Sequence, residues 1–138
     1  MTETLASRFT LRKEERICSR LQIEELFSSG RSASLTTFPL RIVYLEGERK
    51  DGDPALQMLV SVPKRHLKHA VDRNRVKRQV REAYRKRKHQ LAELMESREG
   101  KKMSVAFLWL DGKLHPSDEI DGKVGQMLTR ICERLCKY

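Results

Sequence analysis

The sequence is poor in the residues that stabilise secreted and membrane proteins. Among its 138 residues are three cysteines and four prolines, and aromatic residues make up 6%. An odd number of cysteines without a C-x-x-C pair is typical of a reducing compartment. No apolar run approaches the roughly 20 residues of a membrane span, and residues 1–12 lack the apolar core of a signal peptide. These features predict a cytoplasmic protein whose core needs neither disulfides nor a structural metal.

Acidic residues are scarce in one segment. Between Lys64 and Lys88 only Asp72 and Glu82 stand among twelve Lys or Arg residues, whereas the rest of the chain has 17 basic and 17 acidic residues. The whole formal charge of +10 therefore belongs to this segment. A solvated helix usually interleaves Glu with its basic residues. Charge concentrated in this way indicates a face that binds a polyanion, either nucleic acid or an anionic surface.

The N-terminal half predicts one helix and a pair of strands. Residues 1–8 are interpreted as a flexible tail, and residues 13–29 as a short amphipathic helix ended by Gly30. Residues 38–45 and 56–62 are β-rich apolar runs separated by a polar loop, which favours an antiparallel hairpin. A further strand at residues 31–34 is only weakly signalled.

The C-terminal half predicts helix, strand and helix. Asp72 is the expected N-cap of a helix that runs to about Lys88 and on towards Met95. Residues 105–110 (VAFLWL) predict a strand buried on both faces. The last helix, opened by Pro116 and Ser117, carries one apolar stripe: Ile120, Val124, Met127, Leu128, Ile131 and Leu135. The order α-β-β-β-α-β-α predicts an α+β fold, a single-domain α/β sandwich over residues 9–138.

The basic helix has two opposite faces at 100° per residue. One face is apolar and suited to packing on a sheet: Val76, Val80, Ala83 and Tyr84. The other is polar: Asn74, Arg78, Arg81, Arg85 and Lys88. Arginine binds two phosphate oxygens at once, and Asn74 offers amide groups for a 2′-hydroxyl or a base edge. The chain lacks a helix-turn-helix, a zipper and zinc-finger ligands, so RNA is the expected partner rather than DNA.

The segment SVPKRHLKHAVDRNRVKRQVREAYR, residues 61–85, closely resembles the signature of the bacterial ribonuclease P protein component. That family carries an S-V-x-K-[KR] strand end and then A-V-x-R-N-R-x-K-R-x-x-R-E on a helix. The residues that match in register are Ala70, Val71, Arg73, Asn74, Arg75, Lys77, Arg78, Arg81 and Glu82. The resemblance extends back to residues 9–32 and forward to the VAFLWL strand and the final helix, and so covers nearly the whole chain.

The resemblance implies the small subunit of a ribonucleoprotein that removes the 5′ leader from precursor tRNA. In that family the catalytic centre and its Mg²⁺ ions belong to the RNA subunit, so no catalytic residue and no stably bound metal are expected in this chain. The implied partners are the ribonuclease P RNA and the precursor tRNA leader, with neither DNA nor membrane. The family fold has a left-handed crossover between parallel strands, where general rules predict a right-handed one.

The resemblance also assigns roles by position. Seven residues are expected to face the RNA subunit: Arg73, Asn74, Arg75, Lys77, Arg78, Arg81 and Arg85. Six are expected at the leader groove: Ile23, Phe27, Phe38, Arg41, Lys64 and Arg65. Ile23 stands where the family often has Phe, and Arg41 where some members have Tyr, so charge and guanidinium stacking are expected to replace part of the base stacking. Lys68 replaces a usual Gly, and Trp109 a frequent Arg; Trp109 belongs either to the core or to a stacking site.

Three other functions compete with this one. A protein that cuts RNA by itself needs clustered carboxylates or a histidine pair, but the acids lie mainly in the 46–53 loop and at residues 118–121, and no feature brings two histidines together. A ribosomal protein or assembly factor shares the basicity but not the R-N-R-x-K-R-x-x-R-E register. Membrane-surface binding is the weakest, because the apolar stripe of the basic helix is committed to a core. Cys132 and Cys136 are interpreted as core or boundary thiols rather than zinc ligands.

Overall fold

The computed structural model describes residues 26–27, 30–52 and 54–136, and in that part of the chain four strands form one mixed sheet. The strands are β1 (Ala33–Thr37), β2 (Leu40–Glu48), β3 (Leu56–Ser61) and β4 (Lys101–Trp109). The described helices are α1 (Ala70–Arg87), α2 (His89–Glu96) and α3 (Ser117–Cys136). The spatial order of the strands is β1-β2-β4-β3. The α+β class predicted from the sequence is therefore confirmed.

The predicted hairpin between the two N-terminal apolar runs is wrong. β4 lies between β2 and β3, pairing antiparallel with β2 and parallel with β3. β2 instead forms its hairpin with β1, through a turn of Phe38 and Pro39 in which Thr37 faces Leu40. The weakly signalled first strand is therefore real, although it begins two residues later than predicted. β4 is apolar on both faces. It therefore suits the centre of the sheet, where both faces are buried.

The connection from β3 to β4 runs through α1 and α2 and joins parallel neighbouring strands. This is the parallel β-α-β unit that the family resemblance implies. The left-handedness of the crossover stays a prediction.

The helix boundaries differ from the prediction at both ends of the basic segment. α1 begins at Ala70 after His69, so Asp72 is not the N-cap but an acid in the first turn. Its negative charge there interacts favourably with the positive end of the helix dipole. The predicted continuous helix to Met95 is interrupted at Lys88, between α1 and α2. Lys88 is only 5% exposed. The prediction that it lies on the exposed basic face is therefore wrong. The break lets α2 bury Leu91 and Met95 against the core.

The two faces of the sheet carry separate apolar clusters. The larger lies under the helices and contains the predicted buried residues of α1 and α3: Val76, Val80, Ala83, Tyr84, Ile120, Val124, Met127, Leu128 and Ile131, with Leu135 at its edge. The smaller lies on the other face, where Leu26 packs with Val43, Leu45 and Ala106.

Leu26 and Phe27 are helical, and Gly30 has a φ of 73°. The rest of the predicted first helix and the 1–8 tail lie outside the described residues, and the assignment of residues 9–138 to one domain stays a prediction.

Two further residues belong to the core. Trp109 is 1% exposed, so the core interpretation of this residue is confirmed. Cys132 is buried and Cys136 exposed at the end of α3, as expected for core and boundary thiols, and burial raises the pKa of the Cys132 thiol.

The described residues include no group of three or more His, Cys, Asp or Glu placed to hold a metal ion. Within the same part of the chain, no helix is both long and apolar enough to cross a membrane.

Candidate RNA interface

α1 presents its cations from a fixed position. Val76, Val80 and Tyr84 are completely buried, which anchors the helix to the sheet along one face. On its other sides Asn74, Arg75 and Arg78 are exposed, whereas Arg73, Lys77, Arg81 and Arg85 are half-buried. A guanidinium on an anchored helix loses less conformational entropy on binding than one on a mobile loop. The seven residues predicted to face an RNA subunit therefore belong to one rigid element.

Arg73 has a positioning role within the protein itself. Its Nη1 donates hydrogen bonds to the carbonyl oxygens of Leu67, at 2.9 Å, and Lys68, at 2.8 Å. These bonds tie the first turn of α1 to the loop that follows β3. Lys64 and Arg65 are exposed in that loop. Arg73 therefore holds in place the segment that carries two of the predicted leader-binding cations.

Arg85 is paired within the helix. Its Nη2 and Nε donate to the two carboxylate oxygens of Glu82, three residues earlier. The hydrogen bond from Arg85 lowers the pKa of Glu82, and the same bond raises the pKa of Arg85. Glu82 thus offsets part of the positive charge at this end of the face. Among the described residues no acid pairs with Arg75 or Arg78, nearer the start of α1, so both guanidiniums are available to an anion.

The end of the sheet next to the start of α1 gathers several of the predicted leader-binding residues. Arg41 of β2 faces Leu108 of β4, and Leu108 in turn faces Ser61, the last residue of β3. Lys64 and Arg65 follow Ser61 within four residues. Arg41 is exposed, and its Nη2 donates to Ser34 Oγ at 3.4 Å. Tertiary structure therefore brings Arg41 to the same sheet end as the Lys64–Arg65 loop.

The predicted aromatic residues have two different surroundings. Phe27 is 47% exposed beside Leu26, which is buried on the sheet face that carries Arg41, Val43 and Leu45. Phe38 is 57% exposed in the β1–β2 turn, and its ring meets the ring of His115 edge to face, with centroids 6.4 Å apart. Ile23, the third apolar residue of the predicted groove, lies outside the described residues.

His115 is held by contacts that the sequence analysis did not find. Its Nε2 lies 2.7 Å from Asp111 Oδ2 and its Nδ1 lies 3.1 Å from Glu119 Oε2. The hydrogen bond to Asp111, assisted by Glu119, raises the pKa of His115, and the same bond lowers the pKa of Asp111. Gln79 of α1 fastens this loop by donating to the carbonyl oxygen of His115 at 3.0 Å. Asp111 and His115 lie in the loop before α3, where no helical spacing applies, so the sequence carries no clear signal for this cluster.

The acids at the start of α3 are engaged in similar contacts. Asp121 accepts hydrogen bonds from Arg87 at 3.1 and 2.7 Å and lies 3.6 Å from Lys86 Nζ. Arg87 lowers the pKa of Asp121. In the loop after β2, Arg49 donates from Nη1 and Nη2 to the two carboxylate oxygens of Glu96 at the end of α2. These carboxylates act as partners for arginine rather than as ligands that converge on one point.

The arrangement defines a class: a basic α/β sandwich whose anchored cationic helix and polar sheet end suit it to an extended polyanion. Comparison with known proteins names the family. The chain matches the family model Ribonuclease P over residues 11–131, and it therefore belongs to that family. It is 36% identical to the ribonuclease P protein component of Porphyromonas gingivalis over 128 residues, which cover 93% of this chain and 90% of that protein. It is 37% identical to that of Chlorobium phaeobacteroides over 131 residues, covering 91% and 88%.

A solved structure shares the fold. A mutant of the Staphylococcus aureus RNase P protein, described as defective in mRNA degradation activity, superposes with a TM-score of 0.61. The match covers 94% of this chain and 98% of the other at 16% sequence identity. The mixed sheet with its helical crossover is therefore the fold of a ribonuclease P protein.

Proposed function

We propose that this chain is the protein subunit of ribonuclease P, the ribonucleoprotein endonuclease that removes the 5′ leader from bacterial precursor tRNA in the cytoplasm. The observation that carries the proposal is the basic face of α1, whose signature residues stand on a helix anchored by Val76, Val80 and Tyr84. Phosphate contacts from a rigid helix orient a protein on its RNA. α1 therefore docks the protein on the catalytic RNA.

The chemistry of cleavage belongs to the RNA subunit in this proposal. The Mg²⁺ ions that the family resemblance implies do not fit the carboxylates described above. Glu82, Glu96 and Asp121 are each bound by arginine, and Asp111 and Glu119 both bind His115. Cations of this protein offset phosphate repulsion between the catalytic RNA and the precursor. The protein thus supplies binding and orientation but no catalytic group.

The leader follows the sheet end and the adjoining sheet face. Arg41, Lys64 and Arg65 provide positive charge there, and Phe27 provides a ring on which an unpaired base can stack. Base stacking on an aromatic ring contributes about 1–3 kcal/mol per base. Arg41 stands where some members of the family have an aromatic residue. Its guanidinium can stack on a base and attract phosphate at the same time.

A ribosomal protein or assembly factor is the second candidate. It shares the general basicity, but membership of the ribonuclease P family does not favour it. Co-purification separates the two, since the proposal predicts ribonuclease P RNA on the isolated protein, and ribosomal RNA alone would contradict it.

Reconstitution tests the proposal directly. Precursor tRNA is incubated with the protein, with the RNA subunit of the same organism, and with both. We expect the protein to raise cleavage by the RNA, Arg78→Gln to weaken that effect, and Lys101→Gln, an exposed lysine at the start of β4, to leave it unchanged. Cleavage by the protein alone would overturn the assignment of the catalytic centre. An RNA activity that is insensitive to the protein would overturn the subunit role.

A further inference from the structure

A polar groove of about 710 Å³ lies between α3 and the end of α1, outside the surface that the family signature identifies. Its cations are Arg87 from α1 and Arg130 and Arg134 from α3. Thr37 and Thr129 add neutral hydrogen-bonding groups to the lining. Arg130 and Arg134 belong to the part of the chain that is formally neutral, and Arg87 joins them only because α3 packs on α1.

Two of the three guanidiniums are held in place by the fold. Arg87 donates from Nε and Nη2 to Asp121, at 3.1 and 2.7 Å, and lies against Gly125, where a Cβ would come within 2.8 Å of Nη1. Arg134 donates from Nη1 to Tyr44 Oη at 3.1 Å. Each of these arginines retains further N–H donors. Both are therefore oriented cations with donors still available to a ligand.

The third arginine and the charge balance favour an anion. Arg130 is exposed and has no hydrogen-bond or ion-pair partner in the described part of the chain. Around the groove, Lys86 and the three arginines outnumber the two nearby acids, Asp121 and Glu133. Planar guanidiniums that line one groove from two helices suit the oxygen pairs of phosphate groups.

We propose that this groove is a second phosphate-binding site, which takes the sugar-phosphate backbone of the RNA subunit beside the stretch bound by α1. The proposal rests on the proposed function. Continuity argues for a polymer, because Arg85, Lys86 and Arg87 surround the last turn of α1 with positive charge and Arg87 lines the groove. The RNA interface of this protein thus extends past the signature segment onto α3.

Binding of the RNA subunit to the full-length protein, measured as a function of monovalent salt, tests the groove. Removing one phosphate contact reduces the slope of log K against log salt by about 0.7–0.9. We expect Arg130→Gln to show this reduction and to weaken binding by about 3- to 10-fold at 0.15 M salt. Lys101→Gln is the charge-matched control, because Lys101 is exposed and lies outside the groove lining; its affinity is expected to equal that of the wild type.

A second variant changes the geometry without changing the charge. Gly125→Ala places a methyl group where the Arg87 guanidinium lies, whereas Gly47→Ala, in β2 and outside the groove lining, meets no atom within 4 Å. We expect Gly125→Ala to weaken RNA binding and Gly47→Ala to leave it unchanged, with both proteins folded by circular dichroism. Wild-type affinity for Arg130→Gln and Gly125→Ala, combined with a loss for Arg78→Gln, would overturn the groove and leave the proposed function standing. Absence of salt-dependent binding by the wild type would overturn both.

Discussion

His115 Nε2 lies 2.7 Å from Asp111 Oδ2 across the loop that joins β4 to α3. The contact makes a charged imidazole favourable in the folded protein, and Glu119 Oε2 supports it from the other side at 3.1 Å. Gln79 of α1 donates to the backbone of the same histidine. Through this residue the loop after β4 is connected to the helix that carries the basic face.

This pair makes stability depend on pH. Because the pKa of His115 is raised, its contribution is complete below the ordinary histidine pKa of about 6.5 and is lost as pH rises through the raised value. Because the pKa of Asp111 is lowered, its contribution is present above the ordinary aspartate pKa of about 3.9 and is lost as pH falls through the lowered value. The pair therefore stabilises most between about pH 4 and 6.5. His115→Gln is expected to lower Tm by a few degrees at pH 6 and by less at pH 9.

Thermal unfolding by circular dichroism at the two pH values measures this difference. His66→Gln is the control, since His66 has no ion pair within the described residues. An equal loss of Tm at pH 6 and pH 9 for His115→Gln would refute the charge-based explanation.

Arg73 is expected to act on the loop as well as on RNA. Arg73→Lys keeps the charge but loses the guanidinium that bridges the carbonyl oxygens of Leu67 and Lys68. A net loss of about 1–1.5 kcal/mol corresponds to about 5- to 10-fold faster amide exchange in residues 64–69. Hydrogen-exchange mass spectrometry measures the change. Arg75→Lys is the matched control on the exposed side of the same turn, and similar exchange in the two variants would contradict the positioning role.

Phe27 is expected to distinguish precursor from mature tRNA. Its half-exposed ring beside the sheet face offers a stacking surface, and in the proposed complex this surface faces the leader. Phe27→Ala is therefore expected to lose at least about 1 kcal/mol per stacked base. Holoenzyme binding to the precursor is then expected to weaken at least about fivefold while mature tRNA binding stays constant. Leu114→Ala, at an exposed apolar residue of the β4–α3 loop, is the control. Equal losses for both tRNAs would place Phe27 outside the leader path.

The two glycines of α3 are expected to differ in stability. Gly122→Ala removes the entropic cost of glycine in a helix and is expected to raise the free energy of unfolding by about 0.5–1 kcal/mol. Gly125→Ala gains the same propensity but pushes Arg87 from its position against α3, which disturbs the ion pair with Asp121. Urea unfolding at matched m-values compares them. A gain for Gly125→Ala as large as that for Gly122→Ala would show that Arg87 moves without cost.

Trp109 is expected to contribute by its volume rather than by its indole N–H. Trp109 Nε1 is buried and finds no acceptor among the residues that the structure describes. Trp109→Phe is therefore expected to cost less than about 1.5 kcal/mol, and Trp109→Ala about 3–5 kcal/mol, because it leaves a cavity. Chemical denaturation measures both losses. Similar losses for the two variants would show that the N–H group is used.

The helices were largely predictable because their signals are local. The spacing of Val76, Val80 and Tyr84 predicts which side of α1 is buried, and the stripe of α3 is correct for the same reason. The interruption at Lys88 was not predictable in this way. It depends on where Leu91 and Met95 find cover against the sheet, and this is a property of the packed molecule.

Which strands pair with each other could not be predicted from the apolar runs of the sequence. β2 and β3 are separated by a short loop, but β4 lies between them. A strand offers the same backbone donors and acceptors to any neighbour, so pairing is chosen by the burial that the whole sheet provides. The sequence by itself determined the charged segment, its register and the helix faces, since these depend on residues close together along the chain. Only the tertiary structure decided that Arg41 shares a sheet end with Lys64 and Arg65, and that Arg87 lines one groove with Arg130 and Arg134. The reason is that these residues come from elements that touch only after the core has packed.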